Sequence, residues 1–120
     1  MRTAINPMGV RDMAKDYIID YGNNGISGDG YQWYRIWKSG WLEQGGEILG
    51  TREYTIRSFL KPYININYTI IGGYNGQNNT SVSFNSVTGL VLYKLNNMQF
   101  KSAIYGANGY EIISWYASGY

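Results

Sequence analysis

The sequence predicts an all-β domain, a small antiparallel β-sandwich behind a short N-terminal lead-in, on three observations. The first is composition. There are 13 Tyr and 16 Gly, while charged residues make up only 15%. That balance suits turn-rich sheets with wide aromatic faces rather than helices built from Ala, Leu, Glu and Lys. The second is that most apolar runs alternate at the two-residue period of a strand. The third is that Gly- and Asn-rich turn signals recur about every 8–12 residues, as sandwiches require. A chain of 120 residues fits one domain and buries roughly two thirds of its unfolded surface.

Taken in order, residues 1–22 form the lead-in and residues 23–120 the sandwich domain. Asn6 can cap a helix, Pro7 suits its first position and Gly22 can end it. Val10, Met13, Ala14, Tyr17, Ile18 and Tyr21 fall at helical spacing, yet Tyr17 to Tyr21 is also a β-branched and aromatic run. A short helix or turn near 7–15 followed by an extended segment at 17–21 is expected. Gly22 to Gly30 carries four glycines and reads as a loop. No Gly-Lys-Ser/Thr follows it, so it is no phosphate cradle.

The central stretch runs from Tyr31 to Gly46. Tyr31, Trp33, Arg35 and Trp37 alternate with Gln32, Tyr34, Ile36 and Lys38, predicting a strand. Ser39-Gly40 supplies a two-residue turn, and a second strand follows from Trp41. This strand should weaken at Gly45-Gly46, where a bulge or a close backbone approach is expected. Beyond it, Arg52 to Leu60 alternates with Tyr54, Ile56 and Leu60 facing inward, until Lys61-Pro62 ends the run. Ile64 to Ile70 alternates most cleanly of all, Ile64, Ile66, Tyr68 and Ile70 against Asn65, Asn67 and Thr69. Gly72 to Asn79 reads as a loop containing Asn-Gly. Thr80 to Phe84 returns as a strand with Val82 and Phe84 inward, and Asn85-Ser86-Val87 turns the chain. Gly89 to Leu95 is apolar on both faces, which suggests a central strand or one at a subunit contact. Gln99–Tyr105 and Glu111–Ala117 then flank a last loop at 106–109.

The chemistry that is missing narrows the function. The sequence has no His and no Cys, which removes the common general base, the zinc ligands, the thiol nucleophile and any disulfide. No cofactor or metal motif is visible. Glu43, Glu47, Glu53 and Glu111 are the carboxylates a glycosidase would draw on, but no spacing singles out a pair. The net charge of +2 comes from scattered Lys and Arg without a run or one-face cluster, so nucleic acid is not an expected partner. No apolar run approaches a membrane-spanning length, and the N-terminus lacks a signal-peptide pattern. Asn67-Tyr68-Thr69 and Asn78-Asn79-Thr80 match glycosylation acceptors, which an Asn-rich chain produces by chance.

What remains is recognition by surface. Loops rich in Tyr, Asn, Gln and Gly give rigid contact area with adaptable hydrogen bonding, which suits sugars. Tyr74, Asn75, Gln77 and Asn78 in one loop, with Tyr105, Asn108 and Tyr110 around another, are the candidate receptor-binding residues. Trp33, Trp37 and Trp41 fall on strands, so core packing or a subunit contact is expected of them, with Trp115 and Tyr116 alongside.

Two stretches carry a resemblance. Trp33-Tyr34-Arg35-Ile36-Trp37-Lys38-Ser39-Gly40-Trp41-Leu42-Glu43-Gln44-Gly45-Gly46 and the terminal Ser114-Trp115-Tyr116-Ala117-Ser118-Gly119-Tyr120 resemble, in order and spacing, the C-terminal domains of bacteriophage tail fibres. One departure is Ser118, where some relatives carry Cys, and no role is carried over to it. The resemblance implies a homotrimeric, non-catalytic adhesin at the fibre tip of a virion, binding a host cell-surface receptor such as a polysaccharide. The rival expectations are a structural cap or trimerisation module at the fibre end, a free-standing carbohydrate-binding module, and a glycan hydrolase.

Overall fold

The computed structural model describes residues 15–77, 89–105 and 111–120. Among these, eight strands form two antiparallel sheets. They are β1 (Ile18–Asn23), β2 (Gln32–Trp37), β3 (Leu42–Leu49), β4 (Thr55–Ser58), β5 (Thr69–Gln77), β6 (Gly89–Lys94), β7 (Gln99–Tyr105) and β8 (Glu111–Gly119). One sheet has the order β1-β2-β3-β8-β5 and the other β4-β7-β6. The all-β fold is as the sequence predicts. The extended segment before Gly22 is β1, an edge strand with a register shift between Ile18 and Asp20. The expected helix near 7–15, apart from Lys15, the strand at 80–84, the turn at 85–87 and the loop at 106–109 lie outside the described residues.

The hairpin β2–β3 forms where expected but closes differently. Its loop has three residues, Lys38, Ser39 and Gly40, with Gly40 N–H bonded to Trp37 O at 2.8 Å and Trp37 N–H to Trp41 O at 2.9 Å. Gly40 has φ +95°, the left-handed residue that a three-residue hairpin loop requires. Asp16 holds the loop from outside, accepting from Ser39 Oγ at 2.8 Å and Ser39 N at 3.0 Å. At Gly45-Gly46 the close approach is real, although β3 continues through it to Leu49. A Cβ at Gly46 would stand 2.0 Å from Tyr31 O.

The core is aromatic and lies between the sheets. Phe59 is its hub, edge-on to Tyr63 and Tyr68 with centroids 5.3 and 5.2 Å away, and tilted against Phe100 and Trp115 at 5.2 and 5.7 Å. Leu42, Ile48, Ile104, Ile113 and Ala117 complete the buried cluster. Gln44 is buried with them and clamps the crossing segment. Its Nε2 donates to Lys61 O at 2.8 Å and its Oε1 accepts from Lys61 N at 2.9 Å, so both amide atoms are satisfied inside the fold.

Three expectations are corrected. The segment Ile64–Tyr68 bends and carries no strand, because Asn65 Oδ1 accepts from Asn67 N at 2.8 Å and offers the backbone a local alternative to a ladder. Strand β5 begins at Thr69 and runs through the stretch read as a loop. In β4 the faces are exchanged: Tyr54 and Ile56 are both 55% exposed while Phe59 is buried. Among the described residues β6 lies at an edge of the small sheet, and β2, β3, β8 and β7 hold the interior positions.

Candidate functional site

The two stretches that carry the tail-fibre resemblance are neighbours in space. β3 pairs with β8 in a register that sets Glu43 opposite Ser118, Gly45 opposite Tyr116 and Gly46 opposite Trp115. Alternation sends Trp115 and Ala117 into the core and leaves Tyr116 and Ser118 on the outer face of the five-stranded sheet. Trp33, Arg35 and Trp37 share that outer face, since Trp33 pairs with Gly45 and Arg35 with Glu43.

Glu43 organises the face. Its Oε1 accepts from Arg35 Nε at 2.7 Å and from Trp37 Nε1 at 2.6 Å, and its Oε2 accepts from the Tyr116 hydroxyl. Arg35 Nη2 lies 3.5 Å from Oε2. Burial pushes the Glu43 carboxyl up, but the hydrogen bonds from Arg35, Tyr116 and Trp37 and the Arg35 charge outweigh it and hold the group below its ordinary value. The Tyr116 hydroxyl moves the other way, raised by burial and by its bond to Glu43. This carboxylate is committed to three side chains that it orients.

Trp33 lies over Gly45. A Cβ there would come within 2.7 Å of Trp33 Cζ2 and 2.8 Å of Trp33 Cε2, so only glycine lets the indole settle on the sheet. The Arg35 guanidinium carbon is 5.3 Å from the Trp33 ring centroid, and Tyr116 is tilted against the same ring at 6.2 Å. Beside this cluster, at the β1 edge, is a shallow groove of about 480 Å3 whose walls include Tyr21, Asn23, Trp33 and Arg35. A second depression of about 500 Å3, mainly apolar, lies where β5 and β6 approach, with Ile66, Ile70 and Leu92 among its walls.

The loop residues singled out from sequence are placed otherwise. Tyr74 is on β5, paired with Ile113 and packed against the core, and its buried hydroxyl finds no partner among the described residues. Asn75 is exposed beside the register shift that follows Tyr74. Asn78, Asn108 and Tyr110, and the side chains of Gln77 and Tyr105, lie outside the described residues. Trp33 and Trp37 are half-buried on the outer face, Trp41 meets Tyr120 edge-on at 5.0 Å, and Trp115 is in the core. Sequence reasoning missed Tyr21 and Asn23, for which alternation along β1 was the available signal. Among the described residues no group of His, Cys, Asp and Glu side chains is arranged to hold a metal ion. None of their helices is long and apolar enough to cross a membrane.

No protein-family model matches the chain, and no curated protein matches it in sequence. Among solved structures it is similar to the selenomethionine structure of an N-truncated R2-type pyocin tail fiber. That match has 15% identity and a TM-score of 0.55, and covers 93% of this chain and 42% of that one. Two R1-type structures, an N-truncated fiber and a P. aeruginosa fiber comprising C-terminal residues, are each 16% identical with TM-scores of 0.47. They cover 93% of this chain and 94% and 31% of theirs. This chain therefore spans less than half of the R2-type fiber structure and shares its fold with part of that fiber.

Proposed function

We propose that this chain is the receptor-binding end domain of a phage-type tail fibre, a trimeric adhesin of the virion that binds a host surface glycan without catalysing a reaction. The observation that carries the reading is the fold likeness to the R2-type pyocin tail fiber across 93% of the chain. The adjacency of the two tail-fibre-like stretches on β2–β3 and β8 supports it. A stiff sheet face with half-buried aromatics and fixed polar groups suits recognition of a hydroxylated ligand. Three copies on one fibre convert weak single-site contacts into avidity.

The test is binding of the labelled, purified chain to cells of the strains that the parent particle adsorbs to, with and without their surface polysaccharide. Binding that disappears with the polysaccharide is expected, with a trimer in sedimentation. Absence of binding to every such strain removes the adhesin reading. A structural cap is the second reading, favoured by the exposed Ile56, Val91 and Tyr93 of the small sheet, which suit contact with sister chains. A fibre that still adsorbs after deletion of this domain establishes the cap instead.

A further inference from the structure

The groove at the β1 edge is mainly apolar, walled by Ile18, Tyr21, Trp33 and Tyr34, with Asn23 and Arg35 as its polar side chains. In the β1–β2 register Asn23 stands opposite Trp33 and Tyr21 opposite Arg35, so the four side chains form a square on one face. Trp33 rests one side of its indole on the Gly45 backbone, has the Arg35 guanidinium carbon 5.3 Å from its ring centroid and Tyr116 tilted against it, and is half-buried where it lines the groove. Asn23 Oδ1 accepts from Gly25 N at 2.8 Å, which orients the amide and leaves its N–H2 group outward. Arg35 is anchored through Nε to Glu43, yet its side chain is 42% exposed, so guanidinium donors remain for a ligand. Tyr21, 78% exposed, is the movable wall.

We propose that this groove binds a neutral pyranose ring. Its C–H face stacks on Trp33, and its hydroxyl oxygens accept from Arg35 and Asn23. The volume of about 480 Å3 lies in the range of small-ligand sites. Glu43 decides the ligand's charge. By balancing Arg35 it leaves directed donors without net positive charge, which favours an uncharged hexose or 6-deoxyhexose over a uronic or sialic acid. The inference deepens the adhesin reading and rests on it for the class of ligand, while moving the contact from loop tips to a sheet face.

The experiment is saturation-transfer NMR of the full chain with methyl glycosides of neutral hexoses and 6-deoxyhexoses, and with uronic and sialic acid glycosides as controls. Transfer to at least one neutral glycoside is expected, strongest at the protons of one ring face. Trp33→Ala weakens it roughly tenfold or more, as loss of a central aromatic anchor does. Tyr21→Ala, at an exposed position that leaves the fold intact, weakens it severalfold, and Tyr93→Ala on the opposite sheet leaves it unchanged. Binding of acidic glycosides alone, or of none, overturns the proposal. So does neutral-sugar binding that survives both Trp33→Ala and Tyr21→Ala, or a Trp33→Ala variant that changes only the oligomeric state. If sugar binding is instead lost in Asn75→Ala or Asn108→Ala with the groove variants intact, the groove fails and the adhesin stands. If both sugar binding and cell adsorption are absent, the two readings fall together.

Discussion

Replacing Glu43 with Gln tests the organisation of the outer face directly. The change keeps shape and removes charge. One amide oxygen can still accept from Arg35 or Trp37, but the amide nitrogen replaces an acceptor near Arg35 Nη2 and the Tyr116 hydroxyl. Two charge-assisted hydrogen bonds become neutral or are lost, each worth roughly 1.5–3 kcal/mol gross. Water recovers part of this, because the Arg35 side chain is 42% exposed and remains solvated without its partner. A net loss of about 1–3 kcal/mol at neutral pH is expected. The sign with pH follows from the depressed carboxyl pKa. Its stabilisation is present above the unfolded carboxylate value and lost as pH falls through the lower folded value. Urea unfolding should therefore separate the two proteins at about pH 7 and show the gap narrowing as pH falls below the ordinary carboxylate range. Equal stability at neutral pH, or a gap that acid leaves unchanged, refutes the claim that this carboxylate holds the face together.

Four further outcomes follow from the packing. Phe59→Ala should cost about 3–5 kcal/mol, because the ring touches four buried aromatics and leaves a cavity between the sheets; thermal unfolding checks it. Gln44→Leu strands the Lys61 N–H and C=O inside and should cost roughly 1–3 kcal/mol, with faster amide exchange across residues 59–63. Gly46→Ala drives a Cβ into Tyr31 O and should destabilise by about 1–3 kcal/mol through backbone displacement, read in denaturant melts. The buried Tyr68 hydroxyl donates to Asn96 O and Gln99 O, and burial pushes it up to about 12. Its stabilisation is full below the ordinary tyrosine value near 10 and falls as pH rises toward 12. Tyr68→Phe should flatten that alkaline loss while weakening the fold at neutral pH.

How much of this was legible depends on whether the deciding interaction was local. The hairpin at Trp37–Trp41 was readable because its turn chemistry and alternation lie within a few residues. The need for glycine at 45 and 46 was readable as a close approach, but the partners Trp33, Tyr31 and Trp115 O are set by sheet order. Alternation puts Tyr54, Ile56 and Leu60 on the apolar face, yet Phe59, alone on the face of Thr55 and Arg57, is what the core takes in, and a one-residue choice exchanges the two. Ile64 to Tyr68 has the alternation of a strand, yet its asparagine bonds its own backbone while Tyr63 and Tyr68 stack at 4.6 Å in the core. Gly72 looked like a loop glycine. In the fold it is a packing glycine on β5, where a Cβ would meet Leu92 Cδ1 at 2.7 Å and Ser114 O at 3.0 Å. Tyr74 was singled out for its company of Asn and Gly, and nothing local said that its ring packs against the core.

The position of β8 explains why the outer face of this sheet is stiff. The last strand of the chain is the fourth of five, bonded to β3 on one side and β5 on the other. It cannot fray without parting both. Its alternation fills the core with Ile113, Trp115 and Ala117 and, on the other face, sets Tyr116 against Glu43. The same nine residues thus couple core packing to the orientation of Arg35 and Trp37 two strands away. Sheet-borne side chains held this way lose little further entropy when a ligand arrives, and preorganisation of that kind raises affinity at fixed contact area. A flexible loop with the same tyrosines would give up part of its contact energy to ordering.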